Sequence, residues 1–223
     1  MAPAPAEASL VAAHPRLQPL LRPAGGSQRA RLLEGMTQAV YHKGYAAATV
    51  ADAVREARVS RGTFYAQFAS KEECFLEAYR HGVDVLLHRV ATAAREAEGD
   101  WEVRLRAGMR AYLEALAGEP RFARTYLLEI QAAGARAQAE RDAALRRFAA
   151  RYASSFAAAC RERRGLIMPS DDELFGLAAG VSELICARLR AGESDRLPAL
   201  EDTLVRFART LLEGASALHD QGA

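Results

Sequence analysis

Of the thirty basic residues in this chain only Lys43 and Lys71 are lysine, and Val, Ile and Thr are scarce. The lysine deficit reads as the codon bias of a GC-rich genome, which weakens any single arginine as a signal. The shortage of β-branched residues removes the usual material of pleated sheet. Cys74, Cys160 and Cys186 are odd in number and far apart, in no C-x-x-C spacing, so they indicate neither a disulfide framework nor a zinc site and fit a reducing cytosol. There is no G-x-S-x-G, no glycine-rich phosphate loop, no H-E-x-x-H and no Cys/His pair beside a base, so neither catalysis nor a cofactor is expected. Long apolar runs are missing as well. The opening MAPAPAEASLVAAHPRLQPLLRPAGG lacks a basic start and its prolines interrupt every apolar stretch, which argues against a signal peptide and a membrane span. Residues 1–26 are expected to be a disordered arm on a cytoplasmic protein.

What remains is rich in alanine and arginine and half apolar, enough at 223 residues to bury a core. Helix propensity is high almost throughout, so the fold class is all-α, with about nine helices. The formal charge of +2 conceals an asymmetry. Residues 1–71 carry nine Lys/Arg against four Asp/Glu, whereas residues 72–223 carry twenty-one against twenty-four. A basic first third on a slightly acidic body points to a polyanion partner for that third.

Periodicity places the helices. Leu33, Met36 and Val40 give a first helix over 28–43, stopped by the glycine of K-G-Y. Thr49 with Asp52 forms a capping box for a second, carrying Val50, Ala53, Val54 and Ala57 on one face. Ser60 caps a third ending near Phe68, because Ser70-Lys71-Glu72-Glu73 opens a fourth that runs to about Arg95 and is long enough to join two bodies. The remaining helices follow Trp101 to Leu116, Phe122 to Ala133 closed by Gly134, Leu145 to Phe156, a stretch capped by Ser170 and Glu173, and a last one opened by Pro198. Glu77, His81, Asp84 and His88 recur on one face of the fourth helix, but opposite its apolar stripe, where a solvated face is expected; no metal site is assigned.

The third helix has an unusual outward face. Two turns of helix are not stable alone in water, so Phe64 and Phe68 must pack inward. Gly62, Thr63 and Ala66 then fall on the opposite arc with Arg61, Tyr65 and Gln67 at its flanks. A surface small at its centre and polar at its edges, near a helix N-terminus, suits a DNA major groove. Arg61 and Thr63 can reach base edges, and Tyr65 can donate to a phosphate. Thr49, Ser60 and Lys71 stand where free N–H groups at helix starts can also take phosphates.

The run from G44-Y-A-A-A-T-V through R58-V-S-R-G-T-F-Y-A-Q-F-A-S-K-E-E resembles the N-terminal helix-turn-helix domain of the tetracycline-repressor (TetR) family of bacterial regulators. It covers about a fifth of the chain; the remainder resembles the family only in layout. The resemblance implies a DNA-binding domain over 27–71 and a helical regulatory and dimerisation domain over 72–223. Arg58 departs from the pattern, since such turns commonly carry glycine there. Either Arg58 adopts positive φ, at about 1 kcal/mol, or the turn is wider.

Trp101, Met109, Tyr112, Phe122, Tyr126, Phe148, Tyr152 and Phe156 are either ordinary core or the lining of a cavity for a small apolar or aromatic ligand. The resemblance implies an inducer pocket in this body. Glu129 shares the apolar face of the sixth helix and needs a partner there, whether an arginine, a backbone N–H or a ligand. In the family the last two helices form a four-helix bundle with a partner subunit, which implies a homodimer built through Leu174, Leu177, Val181, Leu184, Ile185, Leu200, Leu204, Phe207 and Leu211; packing within one subunit uses much of the same set. The reading is a homodimeric, ligand-responsive repressor on a near-palindromic operator of double-stranded DNA. The competing readings are a helical-bundle enzyme or carrier, and an architectural protein that coats DNA without sequence preference, which the modest basic charge disfavours.

Overall fold

The computed structural model describes residues 26–220, with side chains as far as residue 215. Apart from Gly26, the expected arm lies outside the described residues. In chain order the helices are α1 (Gln28–Ala47), α2 (Val50–Ala57), α3 (Arg61–Tyr65), α4 (Lys71–Glu96), α5 (Trp101–Gly118), α6 (Pro120–Leu127), a 3-10 helix (Glu129–Ala132), α7 (Ala135–Glu162), α8 (Asp171–Arg190), a second 3-10 helix (Ser194–Leu200) and α9 (Glu201–Asp220). Among the described residues there is no strand. The fold is all-α: a three-helix head, α1 to α3, joined by α4 to a helical body.

Local chemistry sets most of the helix starts. Thr49 and Ser170 close reciprocal capping boxes with Asp52 and Glu173. Ser27, Ser60 and Asp100 each accept one backbone N–H of the following turn. Ser70 accepts from the Glu73 N–H, but the Glu73 carboxylate reaches back one residue further, to the N–H of Ala69 at 2.7 Å. Three boundaries differ from the expected ones. α3 ends at Tyr65, with a turn carrying the chain on to Phe68. The expected sixth helix breaks at Leu128, so Glu129 leaves the apolar face of Phe122 and Tyr126. Pro198 lies inside the second 3-10 helix, and α9 begins after it.

One apolar core runs from head to body. Met36, Val40, Phe64, Phe68 and Phe75 fill the head. Along α4 the core continues through Tyr79, Val83 and Leu86 to α5, α6 and α7. Tyr126 stacks between Tyr79 and Phe122, with ring centroids 4.8 Å and 5.2 Å away. α8 packs on α7, and α9 is tied to α5 where Arg106 and Arg110 meet Glu201. Leu174, Leu177, Val181, Ile185, Leu200 and Leu204 are buried in this packing within one subunit. That corrects their assignment to a subunit interface: their faces of α8 and α9 turn inward, and only Leu184, Phe207 and part of Leu211 reach the surface.

At Gly35 the backbone of α2 closely approaches α1. A Cβ there would lie 2.6 Å from the Ala53 carbonyl oxygen and 2.8 Å from the Ala57 nitrogen, both backbone. Gly35→Ala should therefore destabilise the protein by about 1–3 kcal/mol in chemical unfolding, although alanine is the better helix former by about 1 kcal/mol.

Candidate nucleic-acid interface and internal cavity

The helix-turn-helix turns on Arg58, whose φ of 53° and ψ of 50° place it in the left-handed region. Among the described non-glycine residues it alone has positive φ. The Val59 N–H bonds the Val54 carbonyl across it at 3.1 Å, closing the end of α2 as a glycine would. Its guanidinium is exposed, as is that of Arg61, and neither pairs with another described residue.

α3 presents the arrangement its spacing predicts. Phe64 and Phe68 are fully buried, while Gly62 and Arg61 are exposed and Tyr65 is 59% exposed. The Ser60 Oγ accepts the Thr63 N–H at 3.0 Å and lies 2.9 Å from the Thr63 hydroxyl. Ser60, Arg61, Gly62, Thr63 and Tyr65 thus share one surface, and Thr49, exposed, begins the adjoining α2. A Cβ on Gly62 would meet only the Ser60 Oγ, at 3.6 Å. Nothing inside the molecule requires glycine at this helical position.

Lys71 departs from its expected role. Its ammonium donates to the carbonyls of Tyr45, at 2.8 Å, and Ala48, at 3.0 Å, and lies over the Tyr45 ring at 4.3 Å. It fastens α4 to the end of α1, and the groups that engage it are within the head. Sequence reasoning also missed Arg29. From α1 it pairs with Glu77, donates to the Gln67 carbonyl at 3.0 Å and lies over the Phe68 ring, so it holds the segment that follows α3. Under α2, the Lys43 ammonium and the Thr49 hydroxyl hold the buried Asp52 carboxyl well below the usual carboxylate range.

In the body, Tyr79, Tyr112, Tyr126, Ile130, Phe148 and Tyr152 surround a cavity of about 20 Å³, room for roughly one water. Tyr112, Phe148 and Tyr152 also line a cleft of about 40 Å³ with Met109. That cleft shares Val90, Ala94, Arg104, Arg151 and Ser155 with an outer groove of about 290 Å³ that includes Trp101 and Arg95. Of the expected lining residues, Phe122 borders a small gap beside Thr37, and Phe156 is buried away from these spaces. Glu129 lines none of the three. Its Oε2 accepts the backbone N–H of Tyr45 at 2.7 Å, so its partner is the end of α1.

Residues 32–78 match the profile of bacterial regulatory proteins of the tetR family. No curated protein matches the chain. Among solved structures, the fatty acid degradation regulator FadR from Bacillus halodurans aligns with a TM-score of 0.73 at 17% identity, over 86% of this chain and 98% of that one. FadR from Bacillus subtilis, solved in complex with stearoyl-CoA, aligns at 0.68 and 16% identity, over 82% and 97%. A transcriptional regulator from Pseudomonas aeruginosa aligns at 0.64 and 20% identity, over 91% and 93%. At these identities the likeness establishes the fold. The free space around Gly62 and the strain at Arg58 carry a common expectation: Gly62→Ala and Arg58→Gly should each raise stability by up to about 1 kcal/mol in denaturant titrations.

Proposed function

We propose that this chain, whose residues 32–78 match the tetR-family profile, is a DNA-binding transcriptional regulator of that family, a cytoplasmic, homodimeric repressor of a near-palindromic operator, released by a ligand entering the helical body. The head is taken as residues 27–71 and the regulatory body as 72–223, with no catalytic role. The observation that carries the DNA reading is Gly62. A glycine inside a helix costs about 1 kcal/mol relative to alanine, and here no internal contact calls for it. Its small size serves something outside the molecule, a surface the backbone of α3 approaches closely. Arg61, Thr63 and Tyr65 ring that point with groups able to read base edges and hold phosphates.

A second copy of the chain is the proposed partner for the outer face of α8 and α9. Gly176 is open, and a Cβ on Gly180 would lie 2.9 Å from the Phe207 ring, so Leu184 and Phe207 stand exposed beside a groove of small residues. Two large apolar side chains at a smooth helix pair suit an isologous two-fold contact. That symmetry would set two α3 helices into successive major grooves about 34 Å apart.

For the ligand, the shape of the spaces favours a long amphiphile. Arg141, Phe148, Tyr152, Ser155 and Ala158, all on α7, follow one track from the tyrosine cavity to the outer groove. The seventeen helical steps from Arg141 to Ala158 make that track about 25 Å long. Its inner parts are narrow and lined mainly by aromatic and aliphatic side chains, with Arg141 at the innermost end. At its mouth stand Arg95 and Arg151, neither paired with an acidic residue among those described. A narrow, mainly apolar path with a basic mouth fits a flexible chain bearing an anion, and the neighbouring fold from Bacillus subtilis holds stearoyl-CoA.

Selection of bound duplexes from a random pool should recover a near-palindrome. Against it, Arg61→Ala should lose about 1–3 kcal/mol at one base pair, and Gly62→Ala should weaken binding while the protein itself becomes more stable. Equal binding of random and selected duplexes would sink the reading. Leu184→Glu with Phe207→Glu should leave each subunit folded, both side chains being surface positions, yet yield monomers in sedimentation and lose operator affinity.

A further inference from the structure

The seam between head and body holds one polar contact whose placement gives it a second use. Gly44, with φ of 74° and ψ of 158°, takes α1 out of helical geometry. The Tyr45 N–H that follows is turned toward the body, where Glu129 Oε2 accepts it at 2.7 Å. Gly44 faces the same oxygen closely, since a Cβ there would come within 3.4 Å of it. On its other side the Tyr45 carbonyl is held by Lys71 at the start of α4. One residue of the head, Tyr45, is thus gripped by the body through its N–H and by the connecting helix through its C=O.

Glu129 is also tied to the cavity. Leu127 and Ile130 both line the tyrosine cavity, and Glu129 sits between them on the strap where α6 gives way to the 3-10 helix. A void of about 20 Å³ admits nothing larger than water unless its walls move. Movement of Leu127 or Ile130 shifts the residue between them, and a hydrogen bond of 2.7 Å does not survive a shift of an ångström in its acceptor.

We propose that Glu129 is the positioning residue through which the body controls the head: its carboxylate clasps the Tyr45 peptide while the cavity is closed and releases it when the cavity is widened. The clasp fixes the angle at which α1, and with it α2 and α3, leaves the body. The clasp itself is independent of any ligand. Its coupling to the cavity rests on the reading that the cavity is where a ligand is admitted.

The test uses the full-length protein and amide hydrogen exchange. Glu129→Ala should speed exchange of the Tyr45 amide at least about ten-fold, with the amides of α8 unchanged, and Glu129→Gln, which keeps an acceptor oxygen, should fall between. Unchanged Tyr45 exchange in Glu129→Ala overturns the clasp. Operator affinity should drop several-fold in Glu129→Ala with the slope of log affinity against log salt unaltered, because no phosphate contact is removed; an affinity that instead rises, as loss of a negative charge repelling DNA would make it, would make Glu129's effect an electrostatic one and overturn the positioning role. Ala144→Leu, which grows a side chain into the cavity, probes the coupling without a ligand. It should speed Tyr45 exchange when Glu129 is present and add nothing when Glu129 is alanine; equal effects in both backgrounds, or none in either, overturn the coupling. Should that variant fail to fold, Ala144→Val takes its place. Stearoyl-CoA titrated by native mass spectrometry tests the ligand reading separately: failure to bind, with the Ala144 result as expected, removes that ligand and leaves the clasp standing.

Discussion

Five residues of helix have no stability of their own in water, so everything α3 does depends on the burial of Phe64 and Phe68. Their two rings fix which arc of the helix meets solvent, and so put Gly62 at the centre of that arc. Arg29 secures the far end by holding the Gln67 carbonyl and covering the Phe68 ring. The left-handed Arg58 secures the near end by letting α2 stop at Ala57 and the chain turn toward α3. Strain at one residue is accepted because the aromatic anchors over-determine the position of the next helix.

The head is joined to the body by two kinds of contact that differ in how they fail. The apolar core along α4 is continuous, and separating it would expose Phe75, Tyr79 and their neighbours to water at a cost of several kcal/mol. The Tyr45 backbone is held by hydrogen bonds through its N–H and its C=O, each contributing on the order of 1 kcal/mol net because water can replace the partner. A regulated joint needs a contact whose loss is comparable to a coupling energy of about 1–3 kcal/mol. The polar contacts at Tyr45 meet that requirement, and the apolar core keeps the two parts attached while they change.

What was legible in the sequence is what is local. The boxes at Thr49 and Ser170, the serine before α3 and the inward phenylalanines are set by residues three or four apart, and the structure has them as the spacing indicates. Partners far apart in sequence were not legible: Glu129 meets Tyr45 across 84 positions, and Arg29 meets Glu77 across 48. The break at Leu128 carries no glycine or proline, and it is tertiary packing of the strap against α1 and α7 that overrides the helical pattern. The leucine stripes of α8 and α9 were legible as apolar and misread as to partner, because a stripe records burial without saying against what. Lys71 shows the same limit: a cation at a helix start fits a phosphate, and only the fold reveals two carbonyls within its reach.

The small size of the cavity constrains how any ligand could act on the proposed reading. A state with about 20 Å³ of free space at its centre cannot be the state a ligand prefers, so binding must draw on a wider conformation of the body. In that conformation the walls bearing Leu127 and Ile130 lie further apart and the Glu129 contact is strained or open. DNA, by contrast, favours whichever arrangement holds the two α3 helices at groove spacing. Linkage then requires reciprocity: to the extent that the ligand loosens the Tyr45 clasp, operator DNA must tighten it and lower the ligand's affinity by the same factor. A single hydrogen bond of about 1 kcal/mol supplies about a five-fold effect per subunit, and in a two-fold dimer both clasps open against one operator, so the two contributions multiply. Switching of the order of thirty-fold is then available from two contacts of ordinary strength, without any change in the residues that touch DNA.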